Sequence, residues 1–342
     1  MRISIPTIPY AAKPTIPNVT LPEAIKRLTD FLRSGATTVL TGAGVSVDSG
    51  IKAYRGHDGR YMNRNFQPIF YHELIDETEK GHSFRKRYWL RSYLGYPPVK
   101  NATPNVSHFS LAALQHASVV PNIITQNVDG LHHKALQQIA PHKWNPAHAR
   151  DAILELHGTL HRVRCNKGHT IGRDLFQDFL SAANPKWHAY AQELMMSGTR
   201  PISNPDGDVA IEHLGISYND FHVPDCPTCL LENRRNPIHK PEVIFFGEAI
   251  PQNVKERSFR EVERCDQLLL IGTTLATYSA FRLVKHALEL KKPVMLLNIG
   301  PTRVDGMQEI QKLNIASGIV LREVAKEIMF ASLSLSQSGN QI

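Results

Sequence analysis

Cysteine is scarce in this chain, with four in 342 residues. So few thiols exclude a disulfide-stapled secreted scaffold and point to a reducing compartment. Long apolar runs are missing as well. None approaches the roughly eighteen residues that cross a bilayer, so no membrane span is expected. Blocks of like charge are also missing. The net charge is +8, but the excess is scattered through stretches such as "SFRKRYWLR" and "ENRRNPIHK". Weak attraction to acidic surfaces follows; a dedicated nucleic-acid site does not. There is no internal repeat, no low-complexity segment and no secretory apolar region. The first 22 residues lack any acid and carry Arg2 and Lys13, the bias of a mitochondrial address. Pro6, Pro9, Pro14, Pro17 and Pro22 would stop a presequence helix. This segment is expected to be an extended arm, and the compartment mitochondrial, otherwise cytoplasmic or nuclear.

What is present is an α/β rhythm. "LPEAIKRLTDFLRSG" has helical periodicity and ends in Gly35, a helix-stop signal. "ATTVLTGAG" is a β-rich run breaking into glycines. "FRKRYWLRSYLGY" and "SHFSLAALQHAS" predict helices, "VVPNIITQN" and "AILELHG" strands. After residue 240 the pattern repeats: helix "ERSFREVERCD", strand "QLLLIG", helix "YSAFRLVKHALELKK", strand "PVMLLNIG". Short apolar strands joined by helices imply a buried parallel sheet. Residues 165–240 differ, being polar, rich in Pro, Asn and Gly, and holding three of the four cysteines. The expected fold class is therefore α/β: a Rossmann-like parallel-sheet domain with an inserted smaller zinc-binding and helical domain. Residues 1–20 form the arm. Residues 21–54, 101–160 and 241–330 form the Rossmann-like domain, 55–100 and 161–240 the small module, and 331–342 a tail. Ligands of such sheets bind at the carboxyl ends of the strands.

The unusual residues fall at those ends. In "VLTGAGVSVDSGI" small residues let backbone approach a pyrophosphate, and a following helix N-terminus would favour its charge. The run lacks the dehydrogenase spacing of glycines, and it also suits a plain strand–helix turn. In "ITQNVDGLH", Asn127 and Asp129 could hold a ribose hydroxyl or simply make a turn. His157 in "ELHG" ends another strand, where a lone histidine is often structural. "IGTTLATYS" and "LLNIGPTR" end strands in small or polar groups that suit an adenosine ribose as well as ordinary loops. Cys265 reads as a buried thiol, His132 and His133 as capping and packing groups. The basic cluster Arg85–Arg91 reads as a solvated helix face, or a holder of an acidic acyl group.

Taken together, "TGAGVSVDSGI", "TQNVDGLH", "ELHG", "CPTC", "PEVIFFGE", "IGTTL" and "NIGPTR" resemble the sirtuins, NAD-dependent protein lysine deacylases. The resemblance covers roughly residues 21–325. Within the family it is similar to the class II, sirtuin-4-like group, on "RKRYWLRSYLGYP", "PDGDV" before "VPDCPTC", and "LNIGPTR". The resemblance implies NAD and zinc as cofactors and acylated protein lysines as partners, for a monomer. Gly42, Ala43, Gly44 and Ser46 would cradle the pyrophosphate, with Tyr54 and Arg55 beside the nicotinamide. Gln126, Asn127 and Asp129 would line the ribose and nicotinamide pocket. Gly272, Thr273, Thr274, Asn298, Ile299 and Gly300 would hold the adenosine half, and Ser317 would close over the adenine. Val243, Phe246, Gly247 and Glu248 would pair with the substrate backbone as a strand. The acyl-lysine would enter a cleft between the two domains.

His157, Asn127 and Asp129 are the implied catalytic set. NAD is consumed: nicotinamide leaves, and the acyl group ends on ADP-ribose. A neutral imidazole near its ordinary pKa of about 6.5 would take a proton from a ribose hydroxyl. Two departures stand out. "GIKAYRG" puts Lys52 and Ala53 where the family has Pro-Asp, which suggests slow turnover. "CNKGH" puts Gly168 where the family's second knuckle cysteine belongs, with His169 next. Imidazole reaches farther than a thiol, so Cys165, His169, Cys226 and Cys229 would form a Cys₃His zinc site. His161 is a weaker fourth ligand, and three thiols without metal is the rival. A protein ADP-ribosyltransferase and a weakly active NAD-binding regulator are the alternative functions. Arg60, Tyr61 and Arg64 lie near where some class II sirtuins grip an acidic acyl chain, though the spacing does not match cleanly.

Overall fold

The computed structural model describes residues 19–55, 59, 68–143, 145–199, 209 and 217–338. Arg60, Tyr61 and Arg64, the "PDGDV" loop up to residue 208, most of the arm and the end of the tail lie outside them. In chain order the strands are β1 (Thr37–Thr41), β2 (Asn122–Thr125), β3 (Ile153–Glu155), β4 (Gly158–Cys165) and β5 (Thr170–Gly172). They continue with β6 (His239–Val243), β7 (Gln267–Ile271), β8 (Val294–Leu297) and β9 (Ile310–Leu313).

The chain divides into two compact units. The larger takes the described residues of Pro6–Gly59, Ala102–His157 and Ile250–Ile342. Its six-stranded sheet has the order β3-β2-β1-β7-β8-β9, parallel throughout. Strands buried on both faces are mostly apolar, and alternate residues serve opposite cores. Val39, Ile123, Leu269 and Met295 face one cluster; Leu40, Ile124, Leu270 and Leu296 face the other. The helix Leu21–Arg33 lays Ala24, Leu28 and Leu32 on the first cluster. The helix Tyr278–Glu289 lays Ala280, Leu283 and Val284 on the second. Strand order reverses between β1 and β7, so their carboxyl ends open the crevice that doubly wound sheets use for ligands.

Two details differ from the sequence expectation. The glycine turn after β1 enters a seven-residue 3-10 helix, Ala43–Ser49, ended by Gly50 at φ +81°. Only glycine takes that backbone angle readily, and the segment is too short for a helix-terminus charge effect. The sequence also did not announce β9 or the long helix Ser317–Ser338.

The smaller unit takes the described residues of Arg60–Asn101 and Gly158–Ala249. Its three-stranded sheet has the order β5-β4-β6, antiparallel. Because β6 completes this sheet, residues 241–249 go with the smaller unit, and the expected boundary at 241 shifts. The core is aromatic: Trp89, Tyr93, Phe176, Trp187 and Phe221 are buried together, with Trp89 and Phe176 centroids 4.7 Å apart. Arg85 is buried, its guanidinium on the carbonyls of Leu74 and Asp76, so it is no part of a solvated face.

Candidate active site and metal centre

At the reversal of the larger sheet, two glycine turns press on each other. Gly42 donates its N–H to Ile271 O (3.1 Å), Gly44 to Gly272 O (2.9 Å). A Cβ on Gly44 would lie 2.7 Å from Gly272 O. One on Gly272, at φ +58°, would lie 2.6 Å from Val45 N. These glycines are required by close backbone approach. The Gly42 and Gly44 amides are spent on joining the turns and that of Gly272 on Leu297 O (3.1 Å), so they are not the ones left for a phosphate.

Gln126 spans the same edge. Its side chain donates to Thr41 O (3.2 Å) and Thr273 Oγ1 (2.9 Å) and accepts from Thr277 (3.1 Å). Asn127, buried, donates to Gly42 O and Ser46 Oγ, both at 3.1 Å. Ser46 donates to the buried Asp129 carboxylate at 2.7 Å, and Leu131 N–H adds a second bond at 3.0 Å. Thus the structure brings Gly42, Ser46, Gln126, Asn127, Asp129, Gly272 and Thr273 into one network. The amide of Asn298 donates to Ile299 O (2.8 Å), leaving Ile299 well exposed. The Gly300–Asp305 loop is held by the buried Lys312, which bonds Gly300 O and Asp305 at 2.7 Å each. Ser317 bonds Ser107 at 3.1 Å. Thr274 O accepts from Arg303 N. Tyr54 and Arg55 lie in a turn, with Tyr54 exposed, just after Lys52 and Ala53.

His157 follows β3. It is half-buried by surface area yet densely surrounded, and burial pushes its pKa down to about 4. A hydrogen bond to the Gln126 backbone opposes that shift, and the nearby Arg282 charge adds to it. The expectation of an ordinary value is therefore corrected: the imidazole is neutral throughout the physiological range.

His108 was missed by sequence reasoning. It is fully buried, its Nδ1 accepting from Asn105 N–H (3.3 Å) and its Nε2 lying 3.4 Å from Ser46 Oγ. The available signal was Asn105 as a helix cap with a polar residue three positions on. His132 packs 4.9 Å from it and bonds Thr41 at 3.0 Å. Burial lowers the pKa of His108 to about 4, against the pull of Asp129, and holds that of His132 well below normal. Both values sit below the unfolded value of about 6.5, so between those limits the unfolded chain binds more protons. Stability is then full above pH 6.5 and falls as pH drops towards 4, by up to about 1.4 kcal/mol per pH unit for each such histidine. Denaturant melts at pH 8, 6.5 and 5 should show the midpoint falling only below 6.5. A flat profile to pH 5 would contradict the neutral pair.

In the smaller unit, Cys165, His169, Cys226 and Cys229 place one ligand atom each within 4.8 Å of one another. Cys165 ends β4. His169 follows Gly168, whose φ of +92° makes the tight turn that presents the ring. Cys226 and Cys229 flank the first turn of the short helix Pro227–Leu231. Sγ of Cys165 and Cys229 are 4.0 Å apart, and His169 Nδ1 lies 3.3 Å and 3.7 Å from Cys229 and Cys226. Zinc with bonds of about 2.3 Å to sulfur and 2.0–2.1 Å to nitrogen needs donor edges of about 3.5–3.8 Å, so the set fits a tetrahedral ion. Outer partners are in place: Glu232 is 3.6 Å from His169 Nε2, and Asn236 donates to Cys229 Sγ (3.2 Å). Burial pushes the Cys226 thiol up to about 11 in the absence of a cation.

β6 lies at the edge of its sheet. Val243 pairs with Gly158, Phe246 bridges to Phe70, and Gly247 sits at φ +81°. Glu248 accepts from Phe245 N–H (3.0 Å) and pairs with the part-buried Lys240 (3.1 Å), which fixes the segment.

Comparison with known proteins fits these parts. A protein deacylase of Batrachochytrium dendrobatidis, "NAD-dependent protein deacylase SIR4", is 42% identical over 316 residues, 90% of this chain and 96% of its own. The Bos taurus "NAD-dependent protein lipoamidase sirtuin-4, mitochondrial" is 33% identical, covering 88% of this chain and 85% of its own. A solved structure from work on the mechanism and regulation of Sir2 enzymes shares the fold at TM-score 0.60 and 23% identity, over 90% of this chain and 98% of that one. The Sir2 family model matches residues 42–279; with relatives this similar along most of its length, the chain belongs to the Sir2 family.

Proposed function

We propose that the chain is an NAD-dependent protein-lysine deacylase, transferring acyl groups from lysines of proteins to ADP-ribose and releasing nicotinamide. The observation that carries this reading is the placing of His157 at the end of β3, beside the end of β2 from which the buried Asn127–Ser46–Asp129 network begins. NAD, when bound, supplies the ribose carbon that loses nicotinamide and accepts the acyl oxygen. The joined glycine turns and the Asn298–Gly300 loop bind and orient its two halves. Asn127 and Asp129, fixed through Ser46, hold the ribose end. His157 takes a proton from a sugar hydroxyl, a role open to an imidazole and not to the buried Asp129, whose carboxylate is already engaged. The Val243–Glu248 segment pairs with the substrate main chain, so many sequences around the lysine are accepted. Cys165, His169, Cys226 and Cys229 hold zinc structurally and leave His157 to the chemistry. The chain acts as a monomer in the mitochondrion, where the name of its bovine relative places that protein.

The test is mass spectrometry of NAD reactions with acetyl-, succinyl-, glutaryl-, lipoyl- and long-chain acyl-peptides. Nicotinamide and O-acyl-ADP-ribose should appear in step with free lysine for at least one acyl group. ADP-ribosylated protein in their place, or unconsumed NAD, would overturn the proposal.

A further inference from the structure

Parallel neighbours in a sheet are ordinarily joined through a helix, yet one crossover here has none. β8 ends at Leu297 and β9 begins at Ile310, side by side and parallel. Residues 298–309 between them contain neither helix nor strand. A helix would satisfy its own backbone and lay an apolar face on the sheet; this loop is held in another way.

What holds it is a buried ion pair. Lys312 follows Ile310 on the face of β9 that turns to the second core cluster, where an apolar side chain would be expected. Its side chain is 3% exposed and that of Asp305 7%. The ammonium donates to Asp305 Oδ1 and to Gly300 O, both at 2.7 Å. Asp305 in turn accepts from Thr302 N–H (3.0 Å) and from the Thr302 hydroxyl. Gly300 donates its own N–H to the Asn314 side chain (3.3 Å). Arg303 ties the loop to the one after β7. Its N–H donates to Thr274 O (3.0 Å) and its guanidinium to Ala276 O (3.1 Å), lying over the Phe281 ring.

We propose that Lys312 and Asp305 are positioning residues for the adenosine half of NAD. They fix the Asn298–Gly300 backbone against the Gly272–Thr274 turn before the cofactor arrives, a role that rests on reading those turns as the cofactor site of an NAD-dependent deacylase. Desolvation of two buried ions roughly cancels their attraction, and apolar side chains of like volume would hold the same chain as well. What the pair adds is direction. An ammonium fixes the oxygens it bonds within hydrogen-bond geometry, and an apolar contact does not. A ligand that meets a loop already in its bound form binds at full strength. A loop in that form only part of the time weakens binding by that fraction. The pair is also remote from the chemistry: β9 is one edge of the large sheet, and β3, which His157 follows, is the other. The effect therefore falls on cofactor binding and not on the bond-making steps.

The test uses Lys312→Met and the double variant Lys312→Met/Asp305→Asn in the full chain. The single variant leaves Asp305 buried and unpaired and should melt lower. The double variant removes both charges and keeps an acceptor for Thr302, so its melt should return towards that of wild type. Both should bind ADP-ribose at least about tenfold more weakly by calorimetry and raise KM for NAD to match. Their kcat at saturating NAD should stay within about twofold of wild type, with KM for acyl-peptide unchanged. Inhibition by free nicotinamide, which reports the other end of the cofactor, should also be unchanged. Hydrogen exchange of the ligand-free wild type gives the activity-independent reading: the amides of Gly300, Thr302 and Arg303 should already be protected. Fast exchange at those amides would overturn the proposal. So would a double variant that binds ADP-ribose like wild type, or a kcat that falls while KM for NAD holds. A wild type that binds ADP-ribose but never releases nicotinamide from NAD would instead bring down the deacylase reading, and calorimetry, which needs no turnover, would still decide the role of the pair.

Discussion

Replacing His157 by alanine is expected to lower deacylation 10²–10⁴-fold while NAD still binds and the chain stays folded. The imidazole stands at the end of β3 with its charge suppressed by burial, so it enters the reaction as a free base at any pH above about 5. No other described group near it can substitute. Asp129 is committed to Ser46 and Leu131, and His108 to Asn105 and Ser46. The fold should survive, because the side chain is only half-buried and its partners, Ser279 and a backbone carbonyl, can turn to water. NAD binding should survive because the glycine turns and Gln126 are held by contacts that do not involve the ring. Calorimetry with NAD, a thermal melt and nicotinamide release with an acyl-peptide would separate the three properties. Turnover like wild type would remove His157 from the mechanism. Loss of NAD binding in step with turnover would make it a cofactor ligand instead.

How far the sequence led depends on which physical signal each feature carries. The strands of the large sheet announce themselves as short apolar runs, because both faces are buried; "LLLI" and "VMLL" have no polar residue to misplace. The carboxyl-end clusters follow from the strands. His169 was legible because three cysteines with matching spacing left one place for a fourth ligand. The interior polar network was not. His108 sits in "NVSHFSLAAL", where helical periodicity accounts for every apolar position and nothing marks the histidine as facing Ser46. Ser279 is one hydroxyl among five in "TTLATYS", and its approach to His157 is set by tertiary packing and not by its own neighbours in sequence. The expected α-helix after "TGAG" failed for a local reason. Gly50 takes a left-handed angle only seven residues on, which leaves room for two tight turns. The boundary near 241 was misplaced because a strand does not reveal from its own residues which sheet it will join.

Removal of zinc is expected to loosen the smaller unit from the knuckle outward, and His169→Ala to weaken zinc binding by about 10–100-fold. The three thiols and the imidazole come from two separate stretches, Cys165–His169 and Cys226–Cys229. Backbone bonds at the knuckle are Gly168 N–H to Cys165 O (2.9 Å), Cys226 N–H to Asn236 O (2.9 Å) and, where β4 meets β6, Asn166 N–H to Ile238 O (3.0 Å). The cluster formed by Cys165, Cys226 and Cys229 contains no other buried apolar residue, so without a cation the stretches are joined only by thiol packing and, indirectly, through Asn236 and the pairing of β4 with β6. Burying three thiols that close is tolerable as a metal site and poor as a core, since so small a cluster packs little apolar surface. The aromatic core around Trp89 and Trp187 is a separate cluster and should persist in part as a loosened state. Metal analysis of the purified chain should give one zinc per molecule. A chelator should lower the first thermal transition and shift tryptophan emission to the red as Trp89 and Trp187 lose their burial. His169→Ala should reproduce that shift at low free zinc and lose it at high free zinc, because three thiolates still bind weakly. A Cys226→Ser variant should be worse, since a hydroxyl is a poor zinc ligand and the site would keep only two thiolates. Two results would overturn the assignment: a metal-free chain that melts and turns over like the native one, or a His169→Ala variant whose zinc affinity is unchanged.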